Sequence, residues 1–262
     1  MKNANIVLVG LSMVAFAGTM AIAGTAPRSG VQGSIHDMTQ YGTVAGGDPE
    51  AQQGRVCAYC HTPHHAITDG NDYLPLWAHS LTTNTFSPYQ SATIDAAIEP
   101  STMMEGPSKL CMSCHDGSVA VDTHYAFTGS KTLDQDDTLF ATPSVAKSGA
   151  MNNDHPIGFV YDGAGAGTGV ATGPTVGDPD LAAHTDGKDA YIRNSAATYF
   201  GTSLKISDRL YISASQGGKG IMTCATCHDV HNKINQDDAT ATNYLLLAPN
   251  SGSKLCLSCH IK

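Results

Sequence analysis

The chain has 262 residues, a formal charge of -9 and 8 cysteines. Lysine and arginine are sparse and scattered, so the basic footprint that a nucleic-acid backbone demands is missing, and no nucleic-acid partner is expected. Only 6% of residues are aromatic and 27 are glycine, so an apolar core built from side chains alone would be thin for this length.

The N-terminus reads as an export signal. Lys2 supplies a positive start, and the apolar run from Ile6 to Ala17 is too short to span a bilayer. Ala21-Ile22-Ala23 fits an A-x-A cleavage site, with Gly24-Thr25-Ala26 as a later option. A retained anchor is the competing reading. Residues 1–23 are therefore expected to be a signal peptide, and the mature chain to be secreted, at the cell surface or beyond it, after passing through the periplasm. Cys57 is the first cysteine, which leaves nothing near the start to carry a lipid.

Residues 24–56 form a Gly/Ser/Ala/Gln-rich arm that contains Gly33-Ser34-Ile35-His36-Asp37. Residues 57–124 hold two Cys-x-x-Cys-His motifs, and residues 221–262 hold two more. The stretch between them, 125–220, has none and is rich in Gly, Ala, Thr, Asp and Ser. Its segment Gly163 to Gly169 is low in complexity and reads as loop. Sustained helical periodicity is absent and prolines recur throughout. The expected fold is mainly irregular, with short helices carrying the CxxCH motifs and short strands near 191–200 and 204–213.

The motifs form an internal repeat. Cys57-Ala58-Tyr59-Cys60-His61-Thr62-Pro63-His64 matches Cys224-Ala225-Thr226-Cys227-His228-Asp229-Val230-His231 as CxxCHxxH. Ser108 to His115 matches Ser253 to His260 with one Met/Leu exchange. An A-B, spacer, A-B order of this kind predicts two similar units, each with a pair of sites.

Two cysteines three apart on a helical turn can form thioethers to the two vinyl groups of one haem, and the next residue, histidine, can then ligate the iron. The covalent attachment points are Cys57, Cys60, Cys111, Cys114, Cys224, Cys227, Cys256 and Cys259, and the proximal ligands are His61, His115, His228 and His260. Four covalently bound c-type haems follow, and four macrocycles can form the core that side chains do not. Structural zinc, a disulfide framework and a thioredoxin-like pair also use CxxC, but none of them requires a histidine after every second cysteine.

Eight histidines remain, enough to give every iron a second imidazole. His64 and His231 hold the same place in the repeat, where their offset directs them to a neighbouring haem. His36 lies beside Asp37 and His155 beside Asp154, carboxylates that could orient each ring. These four rank first; His65 and His79 are reserves, and His124 and His184 read as surface residues. Met103, Met104, Met112, Met151 and Met222 read as packing rather than ligands. Six-coordinate iron suits electron transfer rather than substrate activation, so the chain reads as an electron carrier and not an enzyme. A multihaem reductase would need an open iron and nearby acid–base residues.

Gly33 to Asp37, Cys57 to His64, Pro75-Leu76-Trp77, Cys111 to Val121, Asp154 to Tyr161 and Leu255 to His260 together resemble the doubled-CxxCH multihaem cytochromes. With four haems and this length, the chain looks like the extracellular tetrahaem filament cytochromes of the outer-membrane cytochrome E (OmcE) type. The resemblance covers most of residues 33–262, with little contribution from 163–220. It implies closely spaced bis-histidine haems, head-to-tail polymerisation of identical subunits, other cytochromes as electron donors, and external acceptors such as oxidised metals. It also implies that one subunit lends an axial histidine to the next, with His36 as the candidate. A discrete periplasmic tetrahaem shuttle is the alternative with the same chemistry.

Overall fold

The computed structural model describes residues 30–42, 53–68, 73–92, 98–125, 127–130, 132–133, 145, 149–161, 205–231, 245–248 and 250–260. The signal, most of the spacer with His184, and the strand expected over 191–200 lie outside them.

Among the described residues, regular structure is sparse and short. Helices are α1 (Thr39–Gly42), α2 (Pro100–Met103), α3 (Pro107–His115), α4 (Cys224–Cys227) and α5 (Cys256–Cys259). A 3-10 turn covers Val56–Tyr59, and others cover Ser207–Arg209 and Ser251–Ser253. Strands β1 (Tyr211–Ser213) and β2 (Lys219–Ile221) pair antiparallel, with Ile212 opposite Gly220. Each CxxC segment thus falls on or beside a single helical turn, which brings its two sulfurs to one side.

The longest helix, α3, shows why the chain folds locally as it does. Pro107 opens it, where a missing N–H costs nothing. Gly106 precedes it at φ 53, and a Cβ there would lie 2.6 Å from the Tyr211 ring, so glycine lets β1 approach. Leu110 and Met112 face inward. Asp116 closes the helix; its carboxylate accepts hydrogen bonds from Ser118 N at 2.8 Å and Asn84 Nδ2 at 3.0 Å, and from the Thr82 hydroxyl. These bonds fasten residues 82–84 to the end of a haem-motif helix.

Among the described residues, buried apolar side chains gather in two small clusters. Phe86, Met103, Met112, Met151 and Ile157 form one, with Cys224 packed against it. Tyr161, Ile206, Met222, Leu247 and Ala248 form the other, with Leu255 and Cys259 against it. Met103, Met112, Met151 and Met222 therefore serve as packing. Motif cysteines line both clusters.

The sequence repeat reappears as a backbone repeat. In the first unit Thr62 N donates to Leu76 O at 2.8 Å and Ala78 N to Cys60 O at 2.9 Å. In the second, Asp229 N donates to Leu245 O at 2.8 Å and Leu247 N to Cys227 O at 2.9 Å. His61 bridges Trp77 as His228 bridges Leu246. Even the strain repeats: Leu76 and Leu245 sit at φ 54 and φ 55, in the left-handed region that favours glycine. A short extended strap thus runs beside the proximal histidine of each CxxCHxxH motif.

Candidate functional site

Three histidine pairs carry the site. His61 faces His231 with ring centres 6.3 Å apart, His36 faces His115 at 5.8 Å, and His155 faces His260 at 6.4 Å. Each pair joins one histidine that closes a CxxCH motif to one outside that position. Imidazole nitrogens bind metals at about 2.0 Å, so two imidazoles sharing one iron have ring centres roughly 6 Å apart. The three spacings lie close to that value.

Local folding aims several of these rings. His61 Nδ1 donates to Pro75 O at 2.6 Å, a carbonyl of the strap. His155 Nδ1 donates to Pro156 O at 3.0 Å. A proton fixed on Nδ1 leaves Nε2 with its lone pair, the form that ligates metal. The arm reaches its place because Gly30 N donates to His231 O at 2.8 Å, which ties the arm to the third motif. His36 then lies against His115. Burial, followed by the neighbouring His115, His228 and His231, holds the His36 imidazole down to about 4, so it is neutral. Its Nδ1 is buried with no hydrogen-bond partner, a costly state that a binding partner would relieve.

Three sequence expectations are corrected. Asp37 does not orient His36: its carboxylate accepts from Gly33 N at 2.7 Å and Thr39 N at 3.2 Å, closing the turn that leads into α1. Asp154 does not orient His155, because the Pro156 carbonyl takes that proton. His124 is buried rather than superficial, stacked on Phe127 and edge-on to Tyr59. His79, kept as a reserve, is deeply buried against Trp77. His64 and His65 are exposed, and His65 stacks on Tyr125 with ring centres 5.3 Å apart. Neither His124 nor His79 sits in a periodic pattern that could have announced its burial. His36, expected as a ligand donated to another copy, lies beside His115 of its own chain.

The sulfurs form a chain of neighbours. All eight cysteines are free thiols. Burial, with Cys57 nearby, pushes the Cys60 thiol up to about 11, and burial with Cys259 beside it pushes Cys227 up to about 12. Cys114 rises further, by burial and the nearby Cys60. Cys111 hydrogen-bonds Cys224, and that contact with burial holds Cys111 protonated. Ser108, one turn before Cys111, accepts from Cys224 N at 3.2 Å and locks α3 to α4. Motifs two and three are therefore joined directly, through Cys111 and Cys224, while Cys60 and Cys259 act on Cys114 and Cys227 only electrostatically.

The donor set fits haem. Among the described residues no three His, Cys, Asp or Glu side chains converge as a bare metal ion would need. Histidines converge in twos, which suits an iron whose four equatorial ligands belong to a macrocycle. Burial holds the Cys60, Cys114, Cys227 and Cys259 thiols protonated, and a thioether in an apolar setting leaves no donor unsatisfied. The chain matches no protein-family model, and no curated protein matches it.

Proposed function

We propose that the chain is an electron carrier with four covalently attached haems, one on each CxxCH motif. The reading rests on one observation above the others. Three motif histidines each face a second imidazole at the spacing that one shared iron requires. Haem supplies an iron that gains and loses one electron; the polypeptide fixes ligation, spacing and insulation. His61 with His231, His115 with His36, and His260 with His155 would hold three of the irons, and His228 would hold the fourth.

The hydrogen bond between Cys111 and Cys224, which joins motifs two and three, supports a path that follows motif order. Electrons enter from other cytochromes and leave to external acceptors such as oxidised metals. Assembly into head-to-tail filaments extends the path beyond one subunit. His64 stands exposed and outside the three pairs, which makes it the better candidate than His36 for a ligand given to another copy. A heterologous contact of this kind does not close on itself and produces filaments.

The test is an absorption spectrum and negative-stain electron microscopy on the same secreted sample, with intact mass. A mass four haems above the chain, low-spin bands and filaments are the expected result. Low-spin monodisperse particles would leave a tetrahaem shuttle. A colourless chain from cells with working haem attachment would end the haem reading.

A further inference from the structure

We propose that the Trp77 indole N–H donates a hydrogen bond to a propionate carboxylate of the haem on motif one, an inference that rests on the haem reading above. Trp77 is the single tryptophan of the chain and is 8% exposed. Its Nε1 is buried, and no described residue accepts from it. A buried donor left without an acceptor is costly, and native structures keep few of them.

The strap fixes the indole through its backbone. Thr62 N donates to Leu76 O, Ile67 N donates to Trp77 O at 2.9 Å, and Ala78 N donates to Cys60 O. The ring therefore stands beside the proximal histidine of motif one, its centre 6.3 Å from that of His61 and nearly perpendicular to it. On its other side the His79 ring lies 6.2 Å away, again nearly perpendicular. Neither imidazole takes the indole proton. His61 Nδ1 is bonded to Pro75 O, and its Nε2 is the nitrogen kept for iron. His79 Nδ1 is bonded to Thr123 O at 2.5 Å, and its Nε2 meets Cys114 Sγ at 3.1 Å.

The repeat isolates the feature. Leu246 holds in the second strap the place that Trp77 holds in the first, and it is 7% exposed. A side chain with no donor fills that position well, so packing alone does not call for an indole. Haem offers few acceptors for one. Its pyrrole nitrogens are engaged by iron, and a thioether sulfur accepts only weakly. Its two propionates are carboxylates, which accept without donating and form the stronger, charge-assisted bonds. The negative charge of a propionate favours oxidised iron. A donor that shares this charge raises the reduction potential, so Trp77 holds the first haem above the potential it would have with leucine there.

The test uses the full haem-loaded chain. With one tryptophan present, ultraviolet resonance Raman of the wild type reads the Trp77 N–H alone. The expected result is an indole mode at its hydrogen-bonded position, and a haem propionate bending mode that shifts in W77F. In a redox titration followed by electron paramagnetic resonance, one haem of the four should become easier to oxidise in both W77F and W77L. The expected change is roughly three- to tenfold in its equilibrium constant, the weight of one hydrogen bond. Tenfold corresponds to about 59 mV for one electron. A free indole N–H in the folded wild-type chain would overturn the proposal without recourse to any variant. A bonded indole whose loss in W77F leaves every propionate mode and every potential unchanged would overturn it too, because another acceptor then holds the proton. A wild-type mass without haem would instead sink the haem reading on which the bond depends.

Discussion

A neutral imidazole ligates a metal and an imidazolium does not. His36 meets that condition through burial and three neighbouring histidines, at the end of an arm held by one backbone bond to His231. Replacing His36 with alanine should convert one of four haems from low to high spin, seen by electron paramagnetic resonance, and leave the other three unchanged. His36, His155 and His231 stood out in the sequence as candidate ligands because each sits in a compact cluster or a repeated position. What orients them was not legible. The Asp37 carboxylate is consumed by its own turn, and a carbonyl one residue away serves His155. Local backbone geometry, absent from a residue pattern, settles that competition.

At the scale of elements, the two straps matter more than any helix. Leu76 and Leu245 hold left-handed backbone at matched positions, a conformation that costs a leucine about 1 kcal/mol or more. Leu76 is exposed, so Leu76→Gly should leave the thermal midpoint unchanged or raised, whereas the β-branched Leu76→Val should lower it. Gly158 is the opposite case. It sits at φ 81, and a Cβ would lie 2.6 Å from the Met103 backbone. Gly158→Ala should cost roughly 1–3 kcal/mol in chemical denaturation, since backbone must shift to admit it. Thr82→Val removes a donor to the buried Asp116 carboxylate and should cost about 1–3 kcal/mol by the same measurement. The CxxCH repeat was plain in the sequence, but the strap repeat was not. Only Leu76 and Leu245 match between the straps, and hydrogen bonds rather than side chains define the rest.

At the scale of the molecule, the described side chains form two small clusters, edged by the motif cysteines Cys224 and Cys259. The division into two clusters depends on long-range packing that composition does not encode. His64→Ala should preserve the three imidazole pairs and their low-spin signals yet abolish filaments, counted by microscopy at equal protein concentration.

The pairing of His61 with His231 also sets an order of events. A chain leaving the membrane N-terminus first presents His36 before its partner His115, so the second motif finds both ligands as soon as it emerges. The first motif emerges earlier, but the imidazole that faces His61 lies about 170 residues further along the polypeptide. If the proposed haems are attached during export, the first would wait with one side uncovered until His231 arrives. The segment around His231 would then be the latch on the first site, and a chain cut short before it would leave that site unguarded.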